Sequence, residues 1–254
     1  MNRFGLISII CLLGLGLFCL ASTGVRKSEV IHTQYLIFID QTGSISSVAQ
    51  RNHWVQLLID EVLGCMQPGD CIQIFAIHDR TRDAAPLYMG KISAVPQDAV
   101  MGELQRARSE MTVVRREAGE AIQRAMTIKK AAKATDLLGA IDRCHADPCK
   151  WHTKLIFASD MLHSSSDINL ERTALPENGI GNLVAALLAR HGWPGSTLAQ
   201  VQVYCLLNNV PPGASRPVNG RRILRQFWTE LVISLGGELV CFETHFAMKS
   251  GGSR

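Results

Sequence analysis

Three short stretches, far apart in the chain, each place side-chain oxygens at the end of an apolar element. Asp40-Gln41-Thr42-Gly43-Ser44 follows Tyr35-Leu36-Ile37-Phe38-Ile39. Thr135-Asp136 opens the helical pattern Leu137-Leu138-Gly139-Ala140-Ile141. Ser159-Asp160 follows Leu155-Ile156-Phe157-Ala158. The carboxylates of Asp40 and Asp160, with the hydroxyls of Thr42, Ser44 and Thr135, make a hard, all-oxygen donor set. Such donors suit Mg²⁺ or Mn²⁺ rather than zinc, which favours nitrogen and sulfur. Taken singly, each stretch reads equally well as a turn or a helix cap, where Asp, Ser and Thr are favoured. Together and in this order, two of them at strand ends, they point to a divalent-cation site.

Apolar patterns beyond residue 33 alternate between strand and helix. Tyr35–Ile39 is an unbroken apolar run, as in a strand buried on both faces. Residues 44 to 66 carry Val48, Trp54, Leu57, Leu58, Val62 and Leu63 at roughly helical spacing. Further strands are expected at 71–77, 87–92 (an edge strand), 155–158, 201–207 and 238–242. Helices are expected near 182–190 and 221–235. Alternation of this kind implies a parallel sheet covered by helices on both faces. The segment 96–133 shows only helical spacing. Val100, Leu104, Ala107, Met111, Val114, Ala118, Ala121, Ala125, Ile128 and Ala132 form a weak heptad seam, read as helix packed on the sheet or as a projecting or dimerising helix.

The oxygen-bearing positions, in this order and context, resemble the metal-ion-dependent adhesion site of the von Willebrand factor A family. Its pattern of Asp-x-Ser-x-Ser, then Thr, then Asp maps onto Asp40, Thr42, Ser44, Thr135 and Asp160, with Thr42 replacing the first serine. The resemblance covers residues 31–246. It implies an α/β fold: a doubly wound, mostly parallel six-stranded sheet with helices on both faces and one antiparallel edge. It also implies that Thr42, Ser44 and Thr135 hold the ion directly while the aspartates act largely through water. An ion so held accepts a further Asp or Glu from a protein partner, and this is the function expected here. No catalytic residue is assigned, and the chain is not expected to be an enzyme. In an open parallel sheet ligands bind beyond the carboxyl ends of the strands, where the strand order reverses. In the family's order that point lies between the strand ending at Asp40 and the strand ending at Ala158. Neighbouring strands run about 4.8 Å apart, so the two carboxylates would share one crevice and need a cation between them.

A rival reading comes from the same residues. Asp40-Gln41-Thr42-Gly43-Ser44 also resembles the Asp-Lys-Thr-Gly-Thr phosphorylation motif of P-type ATPases and, more loosely, the haloacid dehalogenase superfamily. There Asp40 would be a nucleophile, with Asp160 and Asp167 helping bind Mg²⁺. The lysine of that motif is glutamine here, and Thr135-Asp136-Leu137 fits the adhesion-site pattern better.

The whole chain sets the remaining limits. With 254 residues, 47% hydrophobic and 19% charged, it is of ordinary globular composition and long enough for one domain with a substantial core. A formal charge of +4 with no basic run interleaved with aromatics argues against nucleic acid. Met1-Asn2-Arg3 followed by the apolar run from Phe4 to Ala21 reads as a signal peptide or a membrane anchor, which predicts export to a periplasmic or other extracytoplasmic setting. A linker at 22–30 and a flexible tail at 247–254 flank the domain. Cys65 and Cys71 bracket one turn and Cys144 and Cys149 another. Such placement suits two local disulfides in an oxidising compartment, while Cys205 and Cys241 sit inside apolar strands. Specificity for a partner would come from the loops 78–86, 161–181 and 208–220. Arg80, Arg82 and Arg216 there would steer an acidic surface toward the ion. His163, in the second loop, reads as a solvated loop residue.

Overall fold

Asp40 is carried to its place by a strand that is buried on both sides. In the computed structural model the described residues are 32–42, 47–96, 98–128, 134–144, 151–207, 219–246 and 248. The chain divides into two compact units, Met1–Val30 and Ile31–Arg254, and every described residue belongs to the second. Strand β1 (His32–Asp40) leads to helix α1 (Val48–Leu57), which continues through a π turn, Leu58–Val62, and a 3₁₀ turn, Leu63–Cys65. Then come β2 (Cys71–Ile77), β3 (Tyr88–Lys91), α2 (Met101–Thr127), α3 (Leu138–Ile141) and β4 (Trp151–Ala158). The chain closes with α4 (Ile180–His191), β5 (Val201–Leu206), α5 (Arg221–Ser234) and β6 (Glu238–Glu243).

The six strands form one sheet in the order β3-β2-β1-β4-β5-β6. Only the β2–β3 pairing is antiparallel. The sequence thus winds outward in both directions from the central pair β1 and β4, the doubly wound α/β arrangement. The reversal of strand order falls between them, with Ile39 opposite Ala158 and Asp40 opposite Ile77.

Alternation along each strand feeds two cores. Tyr35, Ile37 and Ile39 face α1 and α2, while Leu36 and Phe38 face α3, α4 and α5. Phe38 stacks on both Phe75 and Phe157, with ring centroids 5.0 and 5.7 Å apart, and so ties three strands on the second face. Each such side chain contributes at most about 1.5–3 kcal/mol by leaving water, enough in sum to fix the register at the site. Ser47 caps α1 by accepting the Gln50 amide, so the helix begins at Val48, four residues beyond Ser44. Gly43 to Ser46, Ser44 among them, lie outside the described residues.

The heptad seam is a packing stripe. Val114, Ala118, Ala121 and Ala125 are buried against the first face, and small residues there let α2 lie close to the sheet. Arg115 fastens the helix by donating Nη2 to the carbonyls of Gly64 (3.1 Å) and Met66 (2.7 Å). Among the described residues no helix is long and apolar enough to cross a membrane; residues 4–21 lie outside them.

The expected Cys65–Cys71 bond is absent: both are free thiols. Strand alternation explains it. Ile72 and Ile74 point into the α1/α2 core, where Cys65 packs, so Cys71 shares the opposite face with Phe75 and Ile77. A disulfide needs Cβ atoms about 3.8 Å apart on facing vectors. Cys65 instead directs its thiol to the Met248 carbonyl at 3.5 Å. Cys144 is a buried thiol against the Ala140 carbonyl, and Cys149 lies outside the described residues.

Candidate functional site

At the carboxyl edge of the sheet Asp40 is only 4% exposed and both its oxygens accept hydrogen bonds. Oδ1 takes the Thr42 amide (2.8 Å) and the Thr42 hydroxyl (2.6 Å). Oδ2 takes the Ser159 hydroxyl at 2.7 Å. Burial raises the Asp40 pKa, and these bonds from Thr42 and Ser159 pull the other way. Among the described residues no Lys, Arg or His lies within ion-pairing distance of Asp40. A hydroxyl that gives its proton to a carboxylate can meet anything else only through its lone pairs. Thr42 Oγ1 is oriented in this way by its bond to Asp40.

Asp160 is the next residue after Ser159 and is half-buried. Its Oδ1 accepts the Leu162 amide at 3.0 Å. Thr135 reaches the same edge through the loop after β4: its amide donates to the Ser164 hydroxyl (3.0 Å), and the Ser164 amide donates to its carbonyl (2.9 Å). Asp136 is a brace. Its carboxylate caps α3 through the Gly139 amide (2.8 Å) and holds the β2–β3 loop through the Thr81 amide (3.1 Å). Position 139 has to be glycine, because a Cβ there would collide with Asp136 and stand 2.7 Å from the Arg82 amide. Asp40, Thr42, Asp160 and Thr135 therefore sit on segments bonded into one edge. Ser44 lies outside the described residues, so its place in the set is not described.

Sequence reasoning passed over two residues that build this edge. Ser159 bonds Asp40 directly, and a hydroxyl one position before an expected ligand was the available signal. His163 is the other. It is fully buried rather than solvated, with Nδ1 accepting the Leu137 amide (3.0 Å) and Nε2 2.8 Å from the Ser165 hydroxyl. Burial holds its pKa down to about 4, so the ring is neutral at ordinary pH. With Nδ1 accepting, the proton is on Nε2 and is donated to Ser165. The pair is the wrong tautomer for activating Ser165 as a nucleophile. The loop itself is better anchored than its sequence suggests: Met161, Ile168, Leu170 and Leu175 are buried in the second core.

The phosphotransferase reading is not favoured. Gln41, at the position of that motif's lysine, turns to the other face and donates to the Ala125 carbonyl at 3.0 Å. Asp167 is drawn to α4, with Arg190 Nη1 and His191 Nε2 each 3.4 Å from its carboxylate. Among the described residues no three His, Cys, Asp or Glu side chains converge, so any cation site here rests on hydroxyls as well as carboxylates.

Arg80 and Arg82 lie on the loop tied to Asp136. Arg80 is exposed, and Arg82, with 72% of its side chain exposed, stands 3.8 Å from Asp142. Arg216 lies outside the described residues, but Asn219 at the end of its loop is buried and fully used. It accepts the Leu175 amide and donates to the Leu170 and Thr173 carbonyls.

No family model matches the chain, and no curated protein matches it. Solved structures do. Proximal thread matrix protein 1 from the mussel byssus is 9% identical at a TM-score of 0.38, over 69% of this chain and 37% of that one. A von Willebrand factor type A protein from Catenulispora acidiphila is 11% identical at 0.42, over 84% and 39%. BatB from Bacteroides thetaiotaomicron is 12% identical at 0.41, over 83% and 90%. The chain thus spans less than two fifths of the first two proteins, and likeness at this level assigns no ligand or partner.

Proposed function

We propose that this chain binds Mg²⁺ or Mn²⁺ at the carboxyl edge of its sheet and uses the ion to engage an Asp or Glu of a protein partner, as an adhesion or assembly module. One observation carries the reading: a buried carboxylate at the strand-order reversal, ringed by hydroxyls, with no cationic side chain beside it among the described residues. Burying such a group uncompensated is costly, and a divalent ion is the natural neutraliser of this donor set. Thr42, Ser44, Thr135, Asp40 and Asp160 would hold the ion, which would supply a Lewis-acidic position for a partner's carboxylate. Arg80, Arg82 and Arg216 would add positive charge around it and favour acidic surfaces. Export, with residues 4–21 as signal or anchor, belongs to the same reading, and the generic metal chemistry leaves partner choice to the loops.

The test is a calorimetric titration of the full chain with Mn²⁺, followed by partner recovery from solubilised envelopes with and without EDTA. Weak binding that disappears in Asp40→Ala and Asp160→Ala, each still folded, supports the site, and loss of partners in EDTA or in Asp40→Ala supports the mechanism. Unchanged Mn²⁺ binding in both variants would sink it.

A further inference from the structure

Met161, directly after Asp160, is one of two described residues other than glycine with positive φ, at 62°. A left-handed backbone crowds the Cβ of any side chain and persists only where surrounding contacts hold it. Here they are visible. The Met161 amide donates to the Ser159 hydroxyl at 3.1 Å, the same hydroxyl that donates to Asp40. The Met161 carbonyl accepts the indole N–H of Trp228 at 3.1 Å. Its side chain is fully buried in the α4/α5 core, and Trp228, on α5, is itself 2% exposed. The left-handed turn brings the Leu162 amide back onto Asp160 Oδ1 at 3.0 Å.

One consequence concerns Asp160 itself. With Oδ1 accepting the Leu162 amide, the carboxylate is tied to the backbone at 161, and that backbone is clamped from α5. We infer that Met161 and Trp228 are positioning residues: the indole holds the strained turn, and the turn aims Asp160 for a divalent cation. This rests on the cation-binding reading above. Among the described residues Trp228 shares no hydrogen bond with an expected ligand, so its influence passes through the peptide at 161.

The experiment uses the full chain in two arms. In metal-free protein, amide exchange at Met161 and Leu162 is compared between wild type and Trp228→Phe, which keeps most of the buried ring and removes the donor. Exchange about tenfold faster at these amides is expected, since the Met161 carbonyl loses the indole N–H that holds it. Mn²⁺ titration should then show affinity about tenfold weaker in Trp228→Phe. Val184→Ala, a truncation in the same core, controls for general loosening and should stay within about twofold of wild type at temperatures where it is folded. Wild-type exchange and affinity in Trp228→Phe overturn the inference, as does equal weakening in Val184→Ala. Absence of Mn²⁺ binding in wild type overturns the cation reading and this inference with it, whereas the failure of the variants alone leaves that reading standing.

Discussion

Acid should unlatch the loop that carries Asp160, and His163 sets the size of the effect. Its ring is fully buried and titrates at about 4 in the folded chain, against an ordinary value of 6.5. Between those values the unfolded state binds more protons than the folded one, so stability falls as pH falls. The contribution is intact above 6.5, drains away through the window and is gone below about 4. At about 1.4 kcal/mol for each pKa unit, the loss is about 3 kcal/mol. Asp40, Asp70 and Asp136 act with the opposite sign, because burial raises their pKa values above 3.8. Their stabilisation is present at low pH and is lost as pH rises through the raised values. A single acid melt therefore mixes both, and the histidine must be read as a difference. His163→Gln offers an amide oxygen to Leu137 and an amide hydrogen to Ser165, and it does not titrate. Urea unfolding followed by tryptophan fluorescence, from about pH 7 to about pH 4, should show wild type losing about 3 kcal/mol relative to the variant. A difference constant to within about 0.5 kcal/mol across that range would refute the buried, neutral ring.

Other substitutions probe the remaining supports. Asn219→Ala removes three hydrogen bonds, two of them buried, and leaves the Leu175 amide and two carbonyls without them, so chemical denaturation should register a loss of about 3 kcal/mol. Gln41→Met gives up one bond to Ala125 but also removes Oε1, a buried oxygen with no hydrogen-bond partner among the described residues; stability should stay within about 1 kcal/mol of wild type, and a larger fall would mean that oxygen has a role. Alkylation of denatured, unreduced protein should label both Cys65 and Cys71. Recovery of a peptide linking them would contradict their placement on opposite faces of the sheet.

What the sequence determined by itself was local and periodic. The apolar run at Tyr35–Ile39 reads as a strand buried on both faces, because it is short and rich in aromatic and β-branched residues, and β1 has that burial. The spacing of Leu224, Phe227, Trp228, Leu231 and Val232 likewise requires one buried helical stripe, and α5 has it. Strand and helix alternation then leaves little beyond a doubly wound sheet. The places of Asp40 and Asp160 at the carboxyl edge of the sheet were legible because each closes or follows an apolar strand run.

Tertiary structure decided what depends on faces and on distant partners. Two cysteines six positions apart look like a pair, yet strand parity sends their side chains to opposite faces of the sheet. A histidine in a polar loop looks solvated, yet the loop folds under itself because Leu170 and Ile168 have a core to enter. The seam along α2 could equally have served a second helix, and only the sheet face beneath it settled its use. The left-handed backbone at Met161 had no local signal, because methionine does not favour it. It is held there by an indole sixty-seven positions away, a contact that exists only once α5 has packed against the loop after β4.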